Sequence, residues 1–276
     1  MVSRTISKLA LAVGSAFVAA SAGAANINWD FSSSTENALN SGAFANTRSV
    51  TSSSITATAS AWSNTADQTV GMVTTSNVVI DSAYLGLYGG GMGVTNRDGT
   101  NDTTSCSSNG GDRCEGTIGN TIAPEHAVDN NQRYDSVRIS FGATQVNLKE
   151  VTVGYVSGDA DITVLASNGA ALSGRTYGGT TGLLAAGWTL IGNYADLAQN
   201  TAKSISNAVF ATDWLFIAYN PVFGNGTAGL TDGDDNFKLK LVTGDTRKVP
   251  EPGTLLLLGA ALAGIWTGRR RAARIR

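Results

Sequence analysis

The chain has 276 residues, enough for one large domain or two small ones. Only 14% of them are charged, while glycine contributes 33 residues and Ser, Thr and Asn are dense; this excludes a Glu/Lys-rich disordered chain and fits many short strands joined by tight turns. The formal net charge of −2 conceals a body, residues 26–249, with 12 Lys+Arg against 20 Asp+Glu, net −8, between basic ends. Such an acidic surface repels phosphate and argues against nucleic acid as a partner.

In chain order, Arg4 and Lys8 precede an apolar run from Leu9 to Ala20 and the small residues Ser21–Ala25. This pattern predicts a signal peptide over residues 1–25, an apolar helix too short to span a membrane, cut by signal peptidase after Ala24 or Ala25.

Residues 26–129 read as the irregular N-terminal part of a β-domain. Ile55–Trp62 and part of Asn77–Tyr88 alternate as strands do, and Gly89–Val94 reads as a glycine-rich turn. Asn96–Asp112 reads as a long loop. Cys106 and Cys114 sit at its far end with no histidine between them, so in an oxidising compartment a disulfide is expected rather than a metal site. Closing that short loop contributes about 2.5 kcal/mol in the chain-entropy picture.

Residues 130–248 carry the sharper strand signals. Val137, Ile139 and Phe141 alternate with polar residues. The apolar phase then slips by one at Lys149–Glu150, which predicts a bulge or turn there. Asp161–Ala166, Gly187–Gly192 and Phe237–Val242 are further strands, and Trp214–Tyr219 is apolar on both faces, as a central strand is. No amphipathic helix of twelve residues occurs, and Leu183–Ala186 and Tyr194–Ala198 are at most single helical turns. The expectation is all-β: one domain of β-sandwich or jelly-roll type, without internal repeats.

Candidate chemistry is sparse. His126 is the only histidine; with Asp129 and a serine it would need a nucleophile elbow, and no Gly-x-Ser-x-Gly occurs. Asp159-Ala-Asp161 reads as a turn entering a strand, although two carboxylates on one face also suit a hard cation. Asp232, Asp234 and Asp235 form a denser cluster, either a solvated turn or a structural calcium site, and no other cofactor is expected. Trp188 and Trp214 lie in apolar runs and belong to the core. Trp62 lies on a polar strand and is the tryptophan best placed to stand exposed beside a sugar. Ile55–Ser60 is too short for the flat threonine array that ice binding needs.

The C-terminus, residues 249–276, has three parts. Val249-Pro250-Glu251-Pro252-Gly253 is held extended by its prolines. An apolar helix of about fifteen residues follows, short for a full span, and then the arginines from Arg269 onward, which hold the end in the cytoplasm. These residues resemble the PEP-CTERM sorting signal. The resemblance implies export through the inner membrane of a Gram-negative bacterium and a precursor anchored by the C-terminal transmembrane helix. It also implies cleavage near Pro-Glu-Pro by exosortase, and delivery to the cell surface or an extracellular matrix. A run from about residue 123 to 242 is similar to exosortase-dependent surface proteins, a likeness that carries over no activity.

The sequence therefore points to an exported, non-enzymatic surface or matrix protein, with a β-domain for structure or adhesion and weak contact with exopolysaccharide. The alternative is a secreted hydrolase acting on polysaccharide or ester, which needs two carboxylates converging on a cleft or a serine beside His126.

Overall fold

The computed structural model describes residues 26–33, 44–97, 127–205, 207–225, 227–247, 258–262 and 264–265. The signal-peptide residues with Ala24 and Ala25, the Cys106–Cys114 loop, His126 and the motif Val249–Gly253 lie outside the described residues.

The body is all-β and forms two seven-stranded sheets. The strands are β1 (Ile27–Asp30), β2 (Thr47–Ser52), β3 (Ile55–Val70), β4 (Val73–Ser82), β5 (Tyr84–Tyr88), β6 (Gly91–Thr95) and β7 (Val128–Asp129). They continue with β8 (Asp135–Ser140), β9 (Val146–Val156), β10 (Ile162–Ser167), β11 (Thr189–Tyr194), β12 (Ala202–Ser204), β13 (Asp213–Ala218) and β14 (Asn236–Thr246). The first sheet runs β12-β9-β14-β6-β5, with β1 and β7 also on β14. The second runs β11-β10-β13-β8-β3-β2, with β4 on β3.

One hydrophobic core takes inward residues from both sheets. Trp29, Leu148, Val151, Val153 and Val242 come from the first, and Ala57, Ala59, Ala61, Val137, Ile139, Trp214 and Phe216 from the second. The alternation in β3 and β8 buries one set of side chains and leaves the other on the outer face, as a period of two requires. β13 lies between β10 and β8. Trp214 and Phe216 enter the shared core, while Leu215 and Ile217 enter a second cluster with Leu172, Tyr177, Leu183, Trp188 and Phe223. That cover over the outer face is why this strand is apolar on both sides.

The phase slip is a bulge. β14 pairs Thr243 with Glu150 and Gly244 with Leu148, leaving Lys149 as the extra residue. The bulge returns Val151 and Val153 to the side of Val146 and Leu148, so all four reach the core.

Two expectations change. The described residues of the N-terminal part are mostly strand: β3 alone has 16 residues, and its small Ala, Ser and Thr side chains weaken the apolar signal. Gly91–Thr95 is a strand rather than part of a turn, with Met92 fully buried. Glycine is needed at position 91, where φ is +114° and a β-carbon would run into the Leu239 carbonyl of β14. At the C-terminus, residues 258–262 and 264–265 are helical, and among the described residues no helix is long and apolar enough to cross a membrane.

Candidate functional site

Two acidic motifs that lie about 70 residues apart in the chain meet at one end of the sheets. The connection from β9 to β10 carries Asp159 and Asp161, and the turn before β14 carries Asp234 and Asp235. Backbone hydrogen bonds lace them together: Asp159 N–H donates to the Asp234 carbonyl at 3.2 Å, and Asn236 N–H to the Asp159 carbonyl at 3.0 Å. Asp196, just after β11, joins from a third loop. Carboxylate oxygens of Asp159, Asp234 and Asp235 lie within 4.8 Å of one another, as do those of Asp159, Asp161 and Asp196.

The two most buried members act as staples. Asp161 is fully buried and accepts the backbone N–H groups of Asp196 and Thr231, each at 2.8 Å. Asp235 accepts the Asp161 N–H at 2.5 Å and the Asn130 side-chain amide at 2.6 Å. Asn130 in turn takes the Asp235 N–H on its oxygen at 3.0 Å, closing a two-way bond. The Thr231 hydroxyl lies 2.8 Å from Asp234 and 3.3 Å from Asp159; with one proton it serves one of them fully.

The ion pairs Arg97–Asp81, Arg138–Asp213 and Lys149–Asp245 do not reach this cluster. Its negative charge is therefore left to protons or to a cation. Burial, reinforced by Asp161, Asp159 and Asp234 and opposed by the Asp161 N–H, pushes the Asp235 carboxyl up to about 8. Burial also raises Asp161, against the two N–H groups that it accepts. An all-oxygen, all-carboxylate donor set suits a hard divalent cation and offers no nitrogen or sulfur for zinc or copper.

Of the cluster expected from sequence, the structure thus joins Asp234 and Asp235 to Asp159, Asp161 and Asp196. Asp232 is in neither carboxylate group: Tyr134 Oη donates to its carboxylate at 3.2 Å, and the Asn130 amide that serves Asp235 reaches it at 3.5 Å. Burial, with Asp232 second, pushes the Tyr134 hydroxyl up to about 12. Asp196 was missed because it sits alone in sequence, with nothing to mark it.

Trp188 and Trp214 are in the core, as their apolar runs indicated. Trp29 is fully buried as well and donates its indole N–H to the Ile55 carbonyl at 3.0 Å. Trp62 is half-buried on the outer face of β3 and lines a hollow together with Thr58, Ser60 and Arg138.

Residues 248–271 match the family described as the PEP-CTERM protein-sorting motif. The chain carries that sorting signal at its C-terminus, and the motif implies an exported protein whose membrane-anchored precursor is processed by exosortase. No curated protein and no solved structure matches the chain.

Proposed function

We propose that this is a cell-surface or extracellular-matrix protein whose β-body is a non-catalytic structural and adhesive domain of two-sheet sandwich type, in weak contact with exopolysaccharide. The observation that carries this is the sorting signal at residues 248–271, attached to an acidic all-β body. The acidic cluster supports a structural role. Asp161 and Asp235 are 0% and 1% exposed, and they spend their oxygens on backbone N–H groups and Asn130, so they tie loops together rather than face a substrate. The cation in this reading is calcium, held by Asp159 with either Asp234 and Asp235 or Asp161 and Asp196, with its charge replacing the protons the cluster otherwise keeps.

A hydrolase would place two carboxylates about 5–9.5 Å apart across a cleft. The raised Asp235 pKa would suit a general acid, but its carboxyl is buried and closer than that to its neighbours. The cluster fits cation holding better than glycosidic chemistry.

Mass spectrometry and fractionation of the protein from its native host test the whole reading. The expected result is a mature N-terminus after Ala24 or Ala25, a C-terminus altered near Pro250–Pro252, and recovery at the surface or in the matrix. A full-length, uncleaved chain in the cytosol overturns it.

A further inference from the structure

The outer face of the second sheet carries two open hollows along one strand. On β3 the outward residues are Thr58, Ser60, Trp62 and Asn64, and β8 runs antiparallel beside them, with Ser140 opposite Thr58, Arg138 opposite Ser60 and Ser136 opposite Trp62. From Thr58 to Asn64 this row is about 20 Å long at strand spacing.

The first hollow, about 290 Å³, lies among Thr47, Thr58, Ser60, Trp62, Ser82 and Arg138. It forms because β2 and β4 follow one another along the same edge of β3. β2 pairs with it as far as Ser60, β4 begins to pair at Trp62, and the break leaves a gap. The second, about 530 Å³, lies beyond Trp62 among Asn64, Asn77, Tyr134, Tyr177, Asn220 and Val222.

The two half-buried rings, Trp62 and Tyr134, both pack against the edge of the outer hydrophobic cluster and both line a hollow. Their neighbours hold them in place. Trp62 Nε1 donates to Ser60 Oγ at 2.9 Å, Tyr134 N–H donates to Asn64 Oδ1 at 2.8 Å, and Tyr177 Oη donates to the Tyr134 carbonyl at 2.6 Å. Asn220 lines the larger hollow and accepts the Val222 N–H on its Oδ1 at 3.0 Å.

The charge of this face selects the ligand. Among the described residues that line the hollows the one cation is Arg138, bound to Asp213 at 2.6 Å; Arg97, whose Nη2 donates to Ser82 Oγ at 2.9 Å beside the smaller hollow, is paired with Asp81. Asp232 stands beside Tyr134 at the far end. Phosphate or uronate would find both of these arginines already engaged by carboxylates. Neutral hydroxyls would find Ser, Thr and Asn, and the apolar face of a sugar ring would find Trp62 and Tyr134. Two hollows in line along one strand fit an extended chain better than a single small molecule.

We propose that the outer face of β3 and β8 is a binding track for an uncharged polysaccharide, with Trp62 and Tyr134 as stacking platforms and Asn64 and Asn220 as hydrogen-bonding groups. It rests on the exopolysaccharide-contact reading above and assigns that contact to a surface.

The test is calorimetric titration of the full-length chain in detergent with cellohexaose and mannohexaose as neutral probes, an oligogalacturonate as the anionic probe, and purified polysaccharide from the native host. The expected result is binding of a neutral oligomer but not the uronate, with Trp62→Ala and Tyr134→Ala each weakening it about tenfold. Thr58→Arg, which fills the smaller hollow from the solvent side, weakens it without touching the core. Tyr155→Ala, an exposed ring on the other sheet, leaves it unchanged. Near-UV circular dichroism checks that each variant is folded.

Binding of host polysaccharide that ignores the Trp62, Tyr134 and Thr58 variants overturns the track and leaves the contact reading standing. No binding of any glycan overturns both. Equal binding of the uronate, or self-association that Trp62→Ala abolishes with no sugar bound, also overturns the track, the latter in favour of a second copy of this chain.

Discussion

The Asp235 carboxylate accepts the backbone N–H of Asp161 at 2.5 Å, joining the turn before β14 to the start of β10 across 74 residues of sequence. Asp235 is 1% exposed and Asp161 is fully buried, so this contact brings two carboxylates into a dry, mutually repulsive site at the end of the sheets. Its energetics depend on what neutralises them.

Protons are one answer, and they make stability depend on pH. The Asp235 pKa is raised from the ordinary carboxylate value to about 8, and that of Asp161 is raised too. A group whose folded pKa is raised stabilises the fold most below its unfolded pKa and loses that contribution as pH climbs to the folded value. In chelator, the melting temperature therefore falls between about pH 4 and pH 8. Asp213 works in the opposite sense. Burial disfavours its charge, but the Thr212 hydroxyl and Arg138 outweigh burial and lower its pKa, so its contribution disappears as pH drops below the usual carboxylate range. Thermal melts by circular dichroism from pH 3 to pH 9 should show a maximum in mildly acid solution. Stability rising steadily to pH 8 in chelator would contradict this account.

Calcium is the other answer. At pH 8 it should raise the melting temperature, and at 100 times its dissociation constant the stabilisation is about 2.7 kcal/mol. At pH 5 the effect should be smaller, because protons compete for the same oxygens. Asp159→Asn, altering the residue common to both carboxylate groups, should remove most of the calcium response, whereas Asp67→Asn on the β3–β4 arm should not. Scanning calorimetry with calcium, magnesium and chelator distinguishes these outcomes.

Arg138→Met should cost about 1–3 kcal/mol. Its guanidinium lies 2.6 Å from Asp213, whose side chain is 3% exposed, and removing it strands a buried carboxylate. The Arg138 side chain remains 26% exposed, which keeps the loss below that of a fully buried pair. Urea denaturation measures the cost, and the double variant Arg138→Met with Asp213→Asn should recover part of it.

Gly91→Ala should be among the most damaging single-methyl additions in the body. The positive φ strains any L side chain, and the new β-carbon meets the Leu239 carbonyl of β14, a backbone atom that cannot rotate away. Gly71→Ala changes a residue that also has a positive φ, +65° against +114° at Gly91, at the open tip of the β3–β4 hairpin, where nothing lies within 4 Å of the added carbon. Position 91 adds both a φ further from the left-handed well and a backbone collision, so it should lose several times more stability than position 71 by urea denaturation.

The sequence by itself determined the strand character of residues 134–242, a break in strand phase at Lys149–Glu150, the central place of Trp214–Tyr219 and the sorting signal. All of these depend on local periodicity or short ordered motifs, which survive in a one-dimensional reading. It also showed two acidic turns, Asp159–Asp161 and Asp232–Asp235, as separate features. Only the tertiary structure decided that Asp159 meets Asp234 and Asp235, that the isolated Asp196 joins them, and that Asp232 turns instead to Tyr134. The same holds for the hollow beside Trp62, which exists because β2 and β4 share one edge of β3 and leave a break between them. Pairing between distant strands sets these neighbours, and side-chain alternation along a strand records which face a residue takes but not which strand lies beside it.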